Sequence, residues 1–406
     1  MPQFDTGNTG FMVLCTVLVL IMTPGLAFFY AGLVGRKNVV TIMVQSFISM
    51  AWTTVLWYLY GYSLCFSGDW HGIIGNLNLA FLHNTTLNTP TPGSPTIPLY
   101  VFIAYQIVCA IITPALITGA FANRVTFKAY MLFLTAWLTF VYCPFVHMVW
   151  GGGLLAQWGV RDFAGGIVVH NIAGFSALAS VFYIGKRKVF DHPHSVPLVA
   201  IGTALLWFGW FGFNAGNELK MDSIAINSFL NTHLAGSFAA MTWLLIGWIR
   251  DKKPSFLGFM TGVLAGLVAV TPASGYVSST TAVIIGIIAG AVCYSAVALK
   301  NKMGWDDALD VWGVHGVGGF LGIVLLGVFA DSAFNPTGPN GLLLGDHWFF
   351  IKECTAVIFS SACAFVFTLV MLKIIDWITP VRVSEETEES GLDIVLHGEQ
   401  AYDDTL

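Results

Sequence analysis

The stretch DFAGGIVVHNIAGFSALAS, Asp162 to Ser180, places one ionisable ring, His170, in an apolar run that begins at a carboxylate. Whether that run is a core helix of a soluble protein or a segment crossing a bilayer decides the fold, and the rest of the chain answers. Of its 406 residues 56% are hydrophobic and only 10% charged, against roughly 25% charged in an ordinary soluble domain. Apolar stretches of about twenty residues recur throughout, each long enough to cross a hydrocarbon layer of roughly 30 Å as a helix. They fall at approximately 8–34, 39–66, 98–122, 127–149, 163–185, 196–216, 222–249, 255–275, 279–299, 308–330 and 346–377. Runs rich in Leu, Gly, Ala and Phe over such lengths lack the alternation of barrel strands. The expected fold is an all-α polytopic membrane protein with eleven transmembrane helices.

Basic residues accumulate in cytoplasmic loops, and alternate loops divide them cleanly. One side carries fourteen, including Arg36, Arg124, Arg187, Arg250, Lys302 and Arg382; the other has Arg161, Lys220 and Lys352. The N-terminus is therefore expected outside and the C-terminus in the cytoplasm. The first basic residue is Arg36, so no cleavable signal peptide is expected. The net charge of −5 comes from residues 383–406, which hold eight acidic residues and no Lys or Arg. The expected division is a membrane domain over 1–381 and a cytoplasmic tail over 382–406.

Ten helices split as five plus five, and an odd number per half inserts the second half upside down, giving an inverted repeat with one helix added. Asp162 precedes GGIVVHN, and Asp310 precedes WGVHG, so His170 and His315 enter from opposite faces. His170 lies eight residues past Asp162, about 12 Å along a helix and so near the bilayer middle. Neutral imidazole donates from one nitrogen and accepts at the other, so two facing rings make a polar strip through an apolar lumen without permanent charge. Ionisable residues inside a membrane mostly face cavities. His233, in NSFLNTHLAGS, has polar helix neighbours and no counterpart, so it reads as structural.

At the outer ends, HMVWGGG supplies Trp150, whose indole face attracts ammonium-like cations by about 0.5–2 kcal/mol. WFGWFGFNAGNE at 207–218 ends on the same face, with Phe213, Asn214 and Asn217 lining or supporting a narrow aromatic mouth. The seven cysteines form no CxxC pair, no metal-like His/Cys cluster is present, and no nucleophile–base set stands out. Neither an enzyme, a metal, a cofactor nor nucleic-acid binding is expected.

With PGLAFFYAGLVGRKN, HMVWGGGLLA, DFAGGIVVH, GWFGFNAG, TPASGYV, DVWGVHGVGG and GLDIVLHGEQAY in order along nearly the whole chain, the sequence resembles the Amt/Mep/Rh ammonium transporters, of the bacterial Amt type. The resemblance implies a homotrimer in the plasma membrane, with a narrow hydrophobic pore in each subunit and His170 and His315 near its middle. It implies that ammonium is recruited at the mouth, loses its proton and passes as ammonia. Trp150 would be the cation–π wall, Asp162 the support beneath the mouth, and Phe213 one of two gating rings. Cys109 stands where the other gate phenylalanine is usual, with Tyr105 one turn earlier, and Asn217 replaces the usual serine. An altered mouth makes an ammonium sensor the alternative to a transporter. The tail GLDIVLHGEQAYDD reads on composition as solvated; the resemblance implies that it folds on the cytoplasmic face and couples subunits, receives a PII-type signalling protein, or leads to an output module.

Overall fold

The computed structural model describes residues 4–402. Among them, ten helices are long and apolar enough to cross a membrane: Thr6–Leu33, Arg36–Phe66, Leu99–Ile117, Phe127–Trp158, Gly166–Ile184, Val196–Glu218, Ser223–Asp251, Ser279–Met303, Trp312–Phe329 and His347–Ile378. A shorter apolar helix, Phe256–Val270, lies between the seventh and eighth of these. The order follows the spans expected from hydropathy, and the protein is a multi-pass membrane protein.

The span expected over 255–275 stops as a helix at Val270 because Thr271-Pro272 follows, and proline neither donates to the helix nor fits its interior. The chain turns through 271–276 while still buried. Unwound backbone at that depth needs partners, and the Asn231 amide supplies them, donating to the carbonyls of Ser274 and Val277 at 2.9 Å each. Asn227 donates to the Val277 carbonyl as well, also at 2.9 Å.

Large apolar side chains such as Val13, Leu14, Val17, Phe238, Met241, Phe367 and Val370 point outward, as a hydrocarbon solvent requires. Helix contacts rely instead on small residues, since lipid gives apolar side chains no drive to associate. Ser223–Asp251 is held between its two neighbours where Ala235 and Ala239 meet Gly266, Gly286 and Gly290. The connection over residues 67–97 contains a short antiparallel hairpin, Pro90–Thr91 with Ser94–Pro98. Its turn is made by the Pro92-Gly93 pair.

Arg124, Arg187, Lys188 and Arg382 gather with the tail at one end of the helices, here the basic end; Arg124 precedes the span Phe127–Trp158, and Trp150 stands toward the far end of that span, here the tryptophan end. Arg124 is fully buried at the basic end, bonded to the carbonyls of Ala120, Gly185 and Asp306 and to the Asp306 carboxylate. Arg187 adds a forked pair to the same carboxylate. Both guanidinium groups hold the Asp306 carboxyl below its ordinary range against the opposing effect of burial.

The acidic tail is not left in solvent as its composition suggested. Asp393, 2% exposed, accepts from Val40 N, Thr41 N and Thr41 Oγ1 at 2.7–2.9 Å, capping the helix Val39–Leu56. Leu392 N donates to Asn38 Oδ1, and Glu388 takes Arg382 and the Lys188 amide. Tyr402 meets His194 and the Arg36 guanidinium. Asp403 and Asp404 lie outside the described residues. Replacing Asp393 by alanine unpairs three donors, so the tail is expected to detach at a cost of about 1–3 kcal/mol. Limited proteolysis will then cut within residues 384–398 at a rate the parent protein does not show.

Candidate functional site

Each central histidine sits in a π-helical turn: Gly166–Asn171 holds His170, and Trp312–Gly316 holds His315. A widened turn of this kind re-aims side chains and is frequent at functional sites. Its cause is local. Asp162 accepts from the amides of Gly165, Gly166, Ile167 and Val168, so the helix starts from a carboxylate that fills four N–H groups at 2.7–3.3 Å. Gly165 stands at φ +120°, where a side chain would also collide with Val169.

The second half repeats this arrangement, but not from Asp310. Asp307 accepts from Val311 N at 3.0 Å and Trp312 N at 2.8 Å, and it precedes His315 by the same eight residues that separate Asp162 from His170. Asp310 instead takes the place of Gly165, with φ +60°, which aspartate tolerates better than most residues. Its carboxylate pairs with Lys300 at 2.7 Å. The packing obeys the same symmetry: Gly174 lies against Gly316, and Gly319 against Asn171. Each glycine is four residues past its own histidine and meets the residue following the other. Any side chain there would force the rings apart.

The rings therefore face each other. Nδ1 of His170 and Nδ1 of His315 are 3.3 Å apart, the ring centroids are 5.3 Å apart, and the planes lie within 26°. The side chains are 2% and 4% exposed. Trp210 stacks on His170 at 5.2 Å and donates its Nε1–H to Thr271. Phe213, fully buried, closes the other side at 6.0 Å. Nε2 of His170 has no hydrogen-bond partner among the described residues.

A cavity of about 340 Å³ begins at Phe213 and the histidines. It runs past Leu26, Tyr30, Leu206 and Val314 to Arg187, Asp191 and Asp310 at the basic end. Its middle is apolar apart from the two imidazoles and the Tyr30 hydroxyl, which is occupied by the Leu116 carbonyl.

Of the residues singled out from sequence, His170, His315 and Phe213 converge on this cavity. Trp150 and Asp162 do not line it but meet each other, the indole Nε1 donating to the Asp162 carbonyl at 2.8 Å. Tyr105 and Asn217 form a second group: both the Tyr105 hydroxyl and the Asn217 amide donate to the Phe213 carbonyl, at 2.7 and 2.8 Å. They brace the backbone of the ring that closes the cavity. Cys109 is fully buried and lines no cavity described above. Asn214 is also buried and bonds Thr232. His233 stacks on Trp207 on an exposed helix face, away from the cavity, as its neighbours suggested.

Sequence reading missed Trp210 and Asp307. Trp210 lies within the quoted WFGWFGF run, and only a three-dimensional arrangement tells which of its rings meets the histidine. Asp307 was legible in the repeated eight-residue spacing.

Residues 10–402 match the model of the Ammonium Transporter Family. An ammonium transporter of Bacillus subtilis is 44% identical over 403 residues, covering 98% of this chain and 99% of its own. The crystal structure of Saccharomyces cerevisiae Mep2 superposes with a TM-score of 0.88 at 34% identity, over 94% of this chain and 91% of that one. A solved "Sensor Amt Protein" superposes equally well, TM-score 0.88, at 27% identity over 96% of this chain and 98% of its own.

Proposed function

The chain belongs to the ammonium transporter family, and from that premise we propose that it carries ammonium across the plasma membrane through the cavity beside His170 and His315. The observation that carries this reading is the 3.3 Å contact between two buried imidazoles at the head of an apolar passage. Two neutral rings sharing one proton between their Nδ1 atoms leave one Nε2 as acceptor and the other as donor. Ammonia, which both donates and accepts, matches such a strip; a bare ammonium ion in the same place loses its hydration without gaining a counter-charge. Deprotonation therefore precedes passage.

In this reading the tryptophan end faces outward, and Trp150 holds the incoming cation. Phe213, braced by Tyr105 and Asn217, is the single ring separating entry from cavity, with Cys109 in place of a second. The tail, docked through Asp393, lies at the cytoplasmic opening, where a PII-type protein or a neighbouring subunit of a homotrimer would meet it.

Ammonium-evoked current across a solid-supported membrane carrying the reconstituted protein tests the proposal. Current in the parent protein, with the half-saturating ammonium concentration raised up to about 30-fold by Trp150→Leu, is the expected result. Measurable ammonium binding without current would overturn transport and support a sensor, the second reading, which Cys109 and the likeness to the sensor structure motivate.

A further inference from the structure

His147 lies three residues before Trp150, and its ring is fully buried. Both ring nitrogens face oxygen. Nδ1 is 2.9 Å from the backbone carbonyl of Cys65, and Nε2 is 3.1 Å from Oδ1 of Asp69. A carbonyl only accepts, so Nδ1 carries a proton. A carboxylate also only accepts, so a second proton lies between Nε2 and Asp69. Oδ1 of Asp69 already accepts the Gly72 N–H at 2.7 Å, and the hydrogen bond from His147 is the largest cause holding the Asp69 carboxyl below its ordinary range. With acceptor oxygens at both ring nitrogens and the Gly72 N–H on the same Oδ1, the geometry fits an imidazolium facing a carboxylate. The other titratable groups around it are Tyr62, Cys65, Tyr142 and Cys143 on the packed helices and His71 in the loop.

This pair fastens the 67–75 loop to the segment that bears Trp150. Leu154 N donates to the Gly72 carbonyl at 2.7 Å, Gly153 N to the His147 carbonyl at 2.9 Å, and Trp150 N to the Val146 carbonyl at 2.7 Å. The indole hangs from a turn wrapped around His147 and pinned from the far side by Asp69.

We propose that Asp69 and His147 are a proton-sharing pair that positions Trp150, making ammonium recruitment depend on the pH of the outer solution. The function assigned to the pair rests on reading Trp150 as the recruitment wall. When that solution is alkaline enough to take the second ring proton, Nε2 turns a lone pair toward a carboxylate at 3.1 Å. Repulsion then opens the fastening, and the indole keeps only its Nε1 bond to the Asp162 carbonyl as support. The proton has a path, because the Asp69 side chain is 47% exposed. In Asp69→Asn an amide NH2 turned toward Nε2 donates to that lone pair, so the contact survives on a neutral ring at the cost of the Gly72 N–H bond that the same Oδ1 accepts in the parent protein.

The test has two arms, both on the full-length protein in lipid nanodiscs or liposomes. Nitrogen-15 spectra of histidine-labelled protein report ring protonation, the His147 signals being assigned by their loss in His147→Ala. At about pH 7, two protonated nitrogens are expected in the parent protein and one in Asp69→Asn. Ammonium-evoked currents then give the half-saturating concentration at about pH 6 and about pH 8.5, at matched ammonium-ion concentration. It is expected to rise about tenfold in the parent protein, to stay level in Asp69→Asn, and to be high at both pH values in His147→Ala. A singly protonated ring in the parent protein overturns the pair, and an Asp69→Asn profile that follows the parent overturns its link to recruitment. A parent protein without current removes the transport reading alone, and the spectra still decide on the pair.

Discussion

His170→Leu will lower ammonium-evoked current by about 10- to 150-fold while leaving the protein folded. Leucine fills a volume near that of imidazole and meets Trp210 and Phe213 with apolar surface, so no cavity opens and packing costs little. What disappears is the hydrogen-bonding strip. The Nδ1 contact at 3.3 Å is gone, His315 Nδ1 loses its partner, and a solute leaving Phe213 meets hydrocarbon on that side. A missing hydrogen bond in so dry a place is worth about 1.5–3 kcal/mol, and a barrier raised by that much is slowed roughly 10- to 150-fold. His315→Leu should act equally, and the double variant should be barely worse than either, because the two rings act as one unit. Currents from the three variants, beside their thermal unfolding in detergent, check this. Additive losses would mean that each ring serves a separate step.

The helices and the central histidines were legible in the sequence because both signals are one-dimensional. A twenty-residue apolar run is sufficient for a span, and an imidazole inside it is conspicuous. The mouth was only half legible. Trp150, Phe213 and Asn217 could be listed, yet Tyr105 and Asn217 bond the same carbonyl of Phe213, and nothing in a spacing reveals a shared acceptor. Asp310 does not pair with Asp162 across the repeat, because it lies five residues before its histidine and Asp162 eight. Asp307, at the matching distance, carries the cap, while Asp310 occupies the position that Gly165 fills in the other half. The tail misled for a different reason. Its eight acidic residues describe an average, whereas its docking depends on one of them, Asp393, meeting two backbone amides that a helix start leaves without intrahelical partners.

The two capping aspartates should respond differently to loss of charge. Asp162→Asn is expected to destabilise the protein by about 3–5 kcal/mol, or to prevent its accumulation. Both carboxylate oxygens are occupied by four buried amides, an asparagine offers one oxygen, and its NH2 would point at two N–H groups with no acceptor. Two orphaned amides at about 1–3 kcal/mol each set the scale. They also lie in the turn that aims His170, so the current should fall with the melting temperature. Asp307 holds only two amides, and burial pushes its carboxyl up to about 6, against the pull of Lys300 and those amides. The folded protein therefore keeps that proton more tightly than the unfolded chain does, so the parent protein loses stability from Asp307 as pH rises from about 4 through about 6. Asp307→Asn has no proton to lose. Its deficit relative to the parent protein should be largest near pH 4 and narrow by pH 7, as thermal unfolding across that range will show. A deficit that grows with pH would mean that the amides hold the Asp307 carboxylate in place more strongly than burial opposes it.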